Sequence, residues 1–213
     1  MLRLSLYQLL KLGLLAYRLG LLMNHMLEPV SQVVPDHLTG LRKIFRLSRR
    51  RYGGFLSICG DFPNGFARRD AFRKVALEFG YPSEAVKEIT LDSSQSNAYS
   101  LGRRLANLCH GKLIFSCSDC FTADLIRALD AAGKQFGRDY EIIGYDNSEG
   151  VGFRPFPEPI ITSVFSDNVK CAVLAAKLLL EKIRDPDSTT TIIRVPTELA
   201  IRKTALQWKG DFL

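Results

Sequence analysis

Missing from these 213 residues are most of the signatures by which catalytic or metal centres are recognised. There is no G-x-S-x-G nucleophile turn, no H-E-x-x-H and no G-x-x-x-x-G-K-[ST] phosphate loop. Gly111-Lys112 lacks the upstream glycine that such a loop needs. Histidine is scarce: His25, His37 and His110 stand far apart, and no role is assigned to them. Five cysteines, an odd number at scattered positions, argue against a secreted disulfide framework and for reduced thiols in the cytoplasm. Cys117-Ser-Asp-Cys120 has C-x-x-C spacing before a helix, which a dithiol would use. No second pair completes a zinc site, and two small residues in a strand-to-helix turn are the simpler reading.

Long uncharged apolar runs are also missing. The segment Met1 to Met23 is Leu-rich, but Gln8, Lys11 and Arg18 interrupt it. It therefore falls short of the ~18 apolar residues of a membrane span. No small-x-small cleavage site follows; Asn24, His25 and Met26 stand there instead. Leu4, Tyr7, Leu10, Leu14 and Leu15 fall at helical spacing, so a packed amphipathic helix is expected, then a short strand from Leu19 to Asn24.

What is present fits a globular chain able to bury a core: 46% hydrophobic and 24% charged residues. Twenty-nine Lys and Arg against 22 Asp and Glu leave a net charge of +7. That excess makes an anionic partner more plausible without establishing one. Arg42, Lys43, Arg46 and Arg49 to Arg51 form its densest cluster. Such a helix could hold nucleic-acid phosphates, but no base-reading motif or interleaved aromatics accompany it, and a solvated face is the simpler reading.

The order of elements is more informative. A loop is expected from Met26 to Pro35, then a helix from the N-cap Asp36 through Leu47. Strands are expected at Tyr52 to Cys59, Ile89 to Leu91, Lys112 to Ser116 and Glu141 to Gly144. Helices alternate with them at Ala67 to Phe79, Ser96 to Leu108 and Thr122 to Ala132, two of them closed by Gly80 and Gly133. After a Gly- and Pro-rich loop come a strand Ile160 to Phe165, a helix Asn168 to Arg184, and strands Thr191 to Val195 and Leu199 to Arg202. Alternation of this kind makes an α/β fold with a parallel sheet covered on both faces.

In such sheets ligands bind beyond the carboxyl ends of the strands. Those ends read Gly60-Asp-Phe-Pro-Asn64, Asp92-Ser93, Cys117-Ser-Asp-Cys120 and Tyr145-Asp-Asn147, a polar and acidic rim with Arg68 nearby. It suits hydrogen bonds to a small polyol or base. Asp92, Asp119, Asp124 and Asp146 could also supply an acid/base pair. Without a nucleophile or metal signature no catalytic residue is assigned, and no enzyme is expected.

The motifs, taken in order, resemble the LacI/GalR-type transcriptional regulators. Asp36-His-Leu-Thr-Gly40 and Leu47-Ser-Arg-Arg-Arg-Tyr-Gly-Gly-Phe-Leu56 resemble that family's "D-N-x-x-G … L-G-H-R-R-I-A-F-I". Arg68-Arg-Asp-Ala-Phe72 with Gly80 resembles "R-L-x-G-F … G". Phe115-Ser-Cys-Ser-Asp-Cys120 with Leu129-Asp-Ala-Ala-Gly133 is similar to "F-x-x-N-D … L-x-x-x-G". Ile142-Ile-Gly-Tyr-Asp-Asn147, Pro159-Ile-Ile-Thr-Ser-Val164 and Pro196-Thr-Glu-Leu-Ala-Ile-Arg-Lys203 resemble "V-V-G-Y-D-D", "P-P-L-T-T-V" and "P-x-x-L-V-x-R".

The resemblance covers about residues 20 to 205. It implies a type I periplasmic-binding-protein-like fold, with one complete lobe and part of a second. On that reading residues 1–35 are a remnant of the N-terminal lobe and residues 36–164 are the C-terminal lobe. Residues 165–197 return to the first lobe, and residues 198–213 close the second. The family's helix-turn-helix has no counterpart here, so an N-terminally truncated regulator is expected, reaching DNA only through a missing segment. The effector, a sugar or related polar metabolite, would be held by Arg68, Ser118 and Asp146, with Asp92 and Asp119 at further acidic positions. Ser118 stands where the family usually has Asn, and Ser93 where many members place an aromatic residue. The resemblance implies no cofactor or metal, no membrane association, a cytoplasmic location, and a homodimer or partner regulator. The competing expectation is a small-molecule enzyme or solute-binding protein on the same scaffold.

Overall fold

A computed structural model describes residues 31–48, 52–92, 98–185 and 187–206. The expected N-terminal helix and first strand, Arg49 to Arg51 of the basic cluster, and Ser93 lie outside the described residues. The chain divides into two compact units: Met1–Pro35 with Asp167–Val195, and Asp36–Ser166 with Pro196–Leu213.

In the first unit, strand β1 (Gln32–Asp36) neighbours the start of β7 (Ile192–Ala200). The Gln32 N–H donates to the Thr191 carbonyl at 2.8 Å. The expected loop from Met26 to Pro35 gives way to β1, which ends the order of strands among the described residues, where a residue without an N–H is tolerated. Helix α5 (Asn168–Arg184) packs Cys171 and Leu178 against Val33 and Val195. Asp167 caps it by accepting the Lys170 N–H at 2.8 Å.

The second unit is a sheet in the order β3 (Val86–Leu91), β2 (Phe55–Gly60), β4 (Lys112–Ser116), β5 (Tyr140–Tyr145), β6 (Thr162–Ser166), then the end of β7. Pairings up to β6 are parallel, and β6 with β7 is antiparallel. Helices α1 (His37–Leu47) and α2 (Pro63–Glu78) cover one face. There Leu41, Ile44 and Phe45 meet Phe55, Phe72 and Phe115, with the Phe72 and Phe115 rings stacked at 4.6 Å. Helices α3 (Ala98–Leu105) and α4 (Asp119–Ala131) cover the other face, over Leu56, Ile58, Ile114 and Ile142. Each such buried side chain contributes about 1.5–3 kcal/mol relative to exposure. This explains why β2, β4 and β5 are short continuous apolar runs rather than alternating ones.

Several boundaries move for identifiable reasons. Helix α2 starts at Pro63, whose fixed φ suits a first turn. Strand β6 starts two residues later than expected, because the N–H groups of Ile160 and Ile161 donate to the Glu149 carboxylate instead. The two final strands are one, β7, running through Pro196. Buried Thr197 holds it: its hydroxyl donates to the Asp36 carbonyl at 2.7 Å and accepts the Gly40 N–H at 2.8 Å.

Candidate functional site

Parallel pairing brings the carboxyl ends of β2, β4 and β5 to one edge of the sheet. Arg68, on the second turn of α2, reaches this edge and is 8% exposed. Its Nη2 pairs with Asp146 Oδ1 at 2.8 Å, and its Nη1 donates to the Cys117 carbonyl at 2.7 Å. The guanidinium carbon sits 3.9 Å above the Tyr145 ring. The Tyr145 hydroxyl in turn hydrogen-bonds His37 Nδ1 at 2.6 Å. Charge pairing, a carbonyl and an aromatic face thus fix Arg68, and its Nε remains buried with no hydrogen-bond partner.

One turn earlier on the same helix face, Asn64 Oδ1 is also buried without a partner. An unmet donor and an unmet acceptor, four residues apart on one helix, are complementary to a hydroxyl, which both gives and takes a hydrogen bond. Leaving either group unpaired costs about 1–3 kcal/mol. Asn64 was not assigned as a site residue from sequence, since only packing reveals its orphaned carbonyl. Nearby, a side chain on Gly60 would collide with Phe62 at 2.2 Å and approach Phe121 at 3.3 Å. Two aromatic rings therefore close over Gly60, a second feature without a sequence signal.

Asp146 follows β5 with φ 104°, and Asn147 with φ 51°. Non-glycine residues in such conformations cost about 1–3 kcal/mol each and persist only when surroundings hold them. Here every amide of the turn is held: Asp146 N–H by the Val164 carbonyl, Asn147 N–H by Ser163 Oγ, and Ser148 N–H by Asp119 Oδ2. Arg202 Nη2 holds the Asn147 side chain at 2.6 Å. The Asp146 side chain keeps 39% of its surface exposed. Its carboxyl lies above the ordinary carboxylate range, because adjacent protein displaces part of its water, while Arg68 pulls the other way.

The five residues expected to hold an effector do not share one setting. Arg68 and Asp146 touch. Ser118, half-buried, begins α4 directly after Cys117, whose carbonyl Arg68 holds, and its hydroxyl makes no cap for the helix. Asp92 is exposed at the end of β3, with β2 between it and β4. Asp119 has another role: it is fully buried, and both oxygens are engaged, Oδ1 by the Ser163 hydroxyl at 2.8 Å and Oδ2 by Ser148 N–H at 2.7 Å. It faces the interior of the turn rather than the open edge, because Gly144 leaves room for it; a Cβ there would lie 2.0 Å from Asp119 Oδ1.

Neither thiol of the C-x-x-C motif is shifted toward the thiolate. Cys117 is buried and accepts the Gly60 N–H at 3.3 Å, and burial pushes its thiol up to about 11. Cys120 is exposed, and its thiol too is raised, first by desolvation. A redox dithiol needs the opposite shift. Among the described residues no group of His, Cys, Asp and Glu is placed to hold a metal ion, and no helix is long and apolar enough to cross a membrane.

Comparison with known proteins gives consistent results. The family model for the periplasmic binding protein-like domain matches residues 46–205. The HTH-type transcriptional repressor PurR of Mannheimia succiniciproducens is 31% identical over 91 residues, 43% of this chain and 26% of that protein. The HTH-type transcriptional regulator CelR of Thermobifida fusca is 26% identical over 184 residues, 83% of this chain and 52% of that protein. The chain thus spans about a quarter to a half of the length of the curated relatives it matches. Among solved structures, a LacI family regulator from Enterococcus faecium with bound ribose superposes with a TM-score of 0.66 at 22% identity, covering 84% of this chain and 66% of that one. A CelR–cellobiose complex gives 0.66 at 22% identity, covering 84% and 55%. A Lac repressor dimer bound to operator gives 0.67 at 18% identity, covering 83% and 61%. The chain belongs to the periplasmic binding protein-like domain family, and over this region it is similar to LacI-family and PurR/CelR regulators.

Proposed function

We propose that this chain senses a small hydroxyl-bearing effector at the strand-end edge formed by Arg68, Asn64, Ser118 and Asp146, on behalf of a LacI/GalR-type transcriptional regulator. The observation that carries the reading is the pair of buried Arg68 with partly exposed Asp146, beside which Arg68 Nε and Asn64 Oδ1 have no partner within the protein. A sugar hydroxyl that displaces the atoms covering them would satisfy both, and Asp146, already partly exposed, would accept from a further hydroxyl. The Phe62 and Phe121 rings offer an apolar face to the ring of a sugar or base. Similarity to HTH-type transcriptional regulators supports transcriptional control rather than catalysis, and a cytoplasmic location. The effector would act by binding one conformation of a regulator better than another, in a dimer or with a partner subunit.

Thermal unfolding across ribose, cellobiose, nucleobases and sugar phosphates tests this reading. One ligand should raise the midpoint in the native sequence and fail to do so in Asp146→Ala and Asn64→Leu. A ligand that stabilises all three proteins equally binds elsewhere and contradicts the assignment.

A further inference from the structure

Asp119 and Ser163 come from elements far apart in sequence, and they meet behind the Asp146–Asn147 turn. Ser163 Oγ accepts the Asn147 N–H at 2.9 Å and donates to Asp119 Oδ1 at 2.8 Å, with a second acceptor, the Val164 carbonyl, at 3.4 Å. Asp119 Oδ2 accepts the Ser148 N–H at 2.7 Å. We propose that Asp119 is a proton-linked positioning residue for the effector site, setting through Ser163 and Ser148 the turn that presents Asp146 to Arg68. The proposal rests on the effector-binding reading for its consequence, and on the hydrogen-bond network alone for its mechanism.

The network accommodates Asp119 in both states of charge. When Asp119 is ionised, both oxygens accept, and the Ser148 N–H is drawn to a full negative charge. When a proton sits on Oδ1, that oxygen donates to Ser163 Oγ, and the Ser163 hydroxyl turns to the Val164 carbonyl. No buried group loses its partner, so the fold persists. The Ser148 N–H then faces a neutral acceptor, and charge-assisted hydrogen bonds are about twice as strong as neutral ones. Acidification therefore relaxes the turn without unfolding it.

The change falls near neutrality. Burial pushes the Asp119 carboxyl up to about 7, its bonds from Ser148 and Ser163 opposing the rise and the nearby Asp146 and Glu149 adding to it. Arg68 on Asp146, and Arg202 at 3.9 Å from Glu149, complete the charged groups around it. On its own helix Cys120 is the closest titratable group, and Asp119 raises that thiol in turn.

Asp119→Asn is the decisive variant, because its amide reproduces the protonated arrangement: Nδ2 donates to Ser163 Oγ, and Oδ1 accepts the Ser148 N–H. Amide NMR of the full chain without ligand, from pH 5 to 8.5, should show the Asn147 and Ser148 resonances moving together with the Asp119 carboxyl in the native sequence. In Asp119→Asn those movements should vanish while the remaining spectrum stays native. A Ser148 amide that does not titrate, or that titrates identically in Asp119→Asn, overturns the proposal. In the same pH series, ribose and cellobiose affinity should fall about fivefold on acidification in the native sequence and stay at the weaker value throughout in Asp119→Asn. Binding that ignores pH while the amide titrates overturns the regulatory role. If the amides titrate but neither sugar binds, the sugar-sensor reading fails and the positioning network is supported.

Discussion

At the scale of single residues, the two aspartates read alike in sequence and differ in the structure. Both follow strands at the same edge. Asp146 is left partly exposed against Arg68, whereas Asp119 is enclosed by Ser163 and Ser148. The difference was not legible because it depends on a serine 44 residues away. Asn64 was hidden for a similar reason: nothing in its neighbours signals an unmet carbonyl. Arg68 and Asp146 were legible, since a strand-end Gly-Tyr-Asp and a helix-borne Arg point to one edge in any parallel sheet. The enclosure of Asp119 also has a stability consequence. Between its ordinary value of 3.8 and about 7, the folded chain holds a proton that the unfolded chain has lost. Stability therefore falls as pH rises through that window, by on the order of 4 kcal/mol for this group alone. Denaturant unfolding at pH 4.5 and pH 8 should show a clearly smaller loss in Asp119→Asn than in the native sequence. Equal losses in the two proteins would mean that Asp119 titrates normally.

At the scale of elements, periodicity and capping located most helices and strands, because their causes are local. Helix α1 is an example: Asp36 accepts the Leu38 N–H at 3.1 Å and the Thr39 hydroxyl at 2.6 Å, and Leu41, Ile44 and Phe45 share its buried face. Asp36→Ala should cost about 1 kcal/mol in unfolding free energy, read from the denaturant midpoint with an unchanged slope. Where long-range partners decide, sequence reading falls short. Strand β1 falls in the expected loop from Met26 to Pro35, because its pairing with β7 joins residues about 160 positions apart. The start of β6 was misplaced because the Glu149 side chain takes the amides of Ile160 and Ile161. Strand β7 was divided at Pro196, although Thr197 ties the strand to Asp36 and Gly40.

At the scale of the whole molecule, an α/β order of elements, the family match over residues 46–205 and the strand-end polar edge agree on an effector-binding region. The edge holds one buried cation, already paired with a carboxylate, beside an unmet donor and an unmet acceptor. That combination fits a neutral hydroxylated ligand better than a phosphate, which accepts hydrogen bonds only and would bring charge beside Asp146. The central claim is the location of this site. Its most direct test is an amide chemical-shift map of the chain titrated with the ligand selected by thermal unfolding. The largest shifts should fall at Asn64, Arg68, Ser118, Asp146 and Asn147. Shifts confined to other surfaces, with these five unmoved, would contradict it.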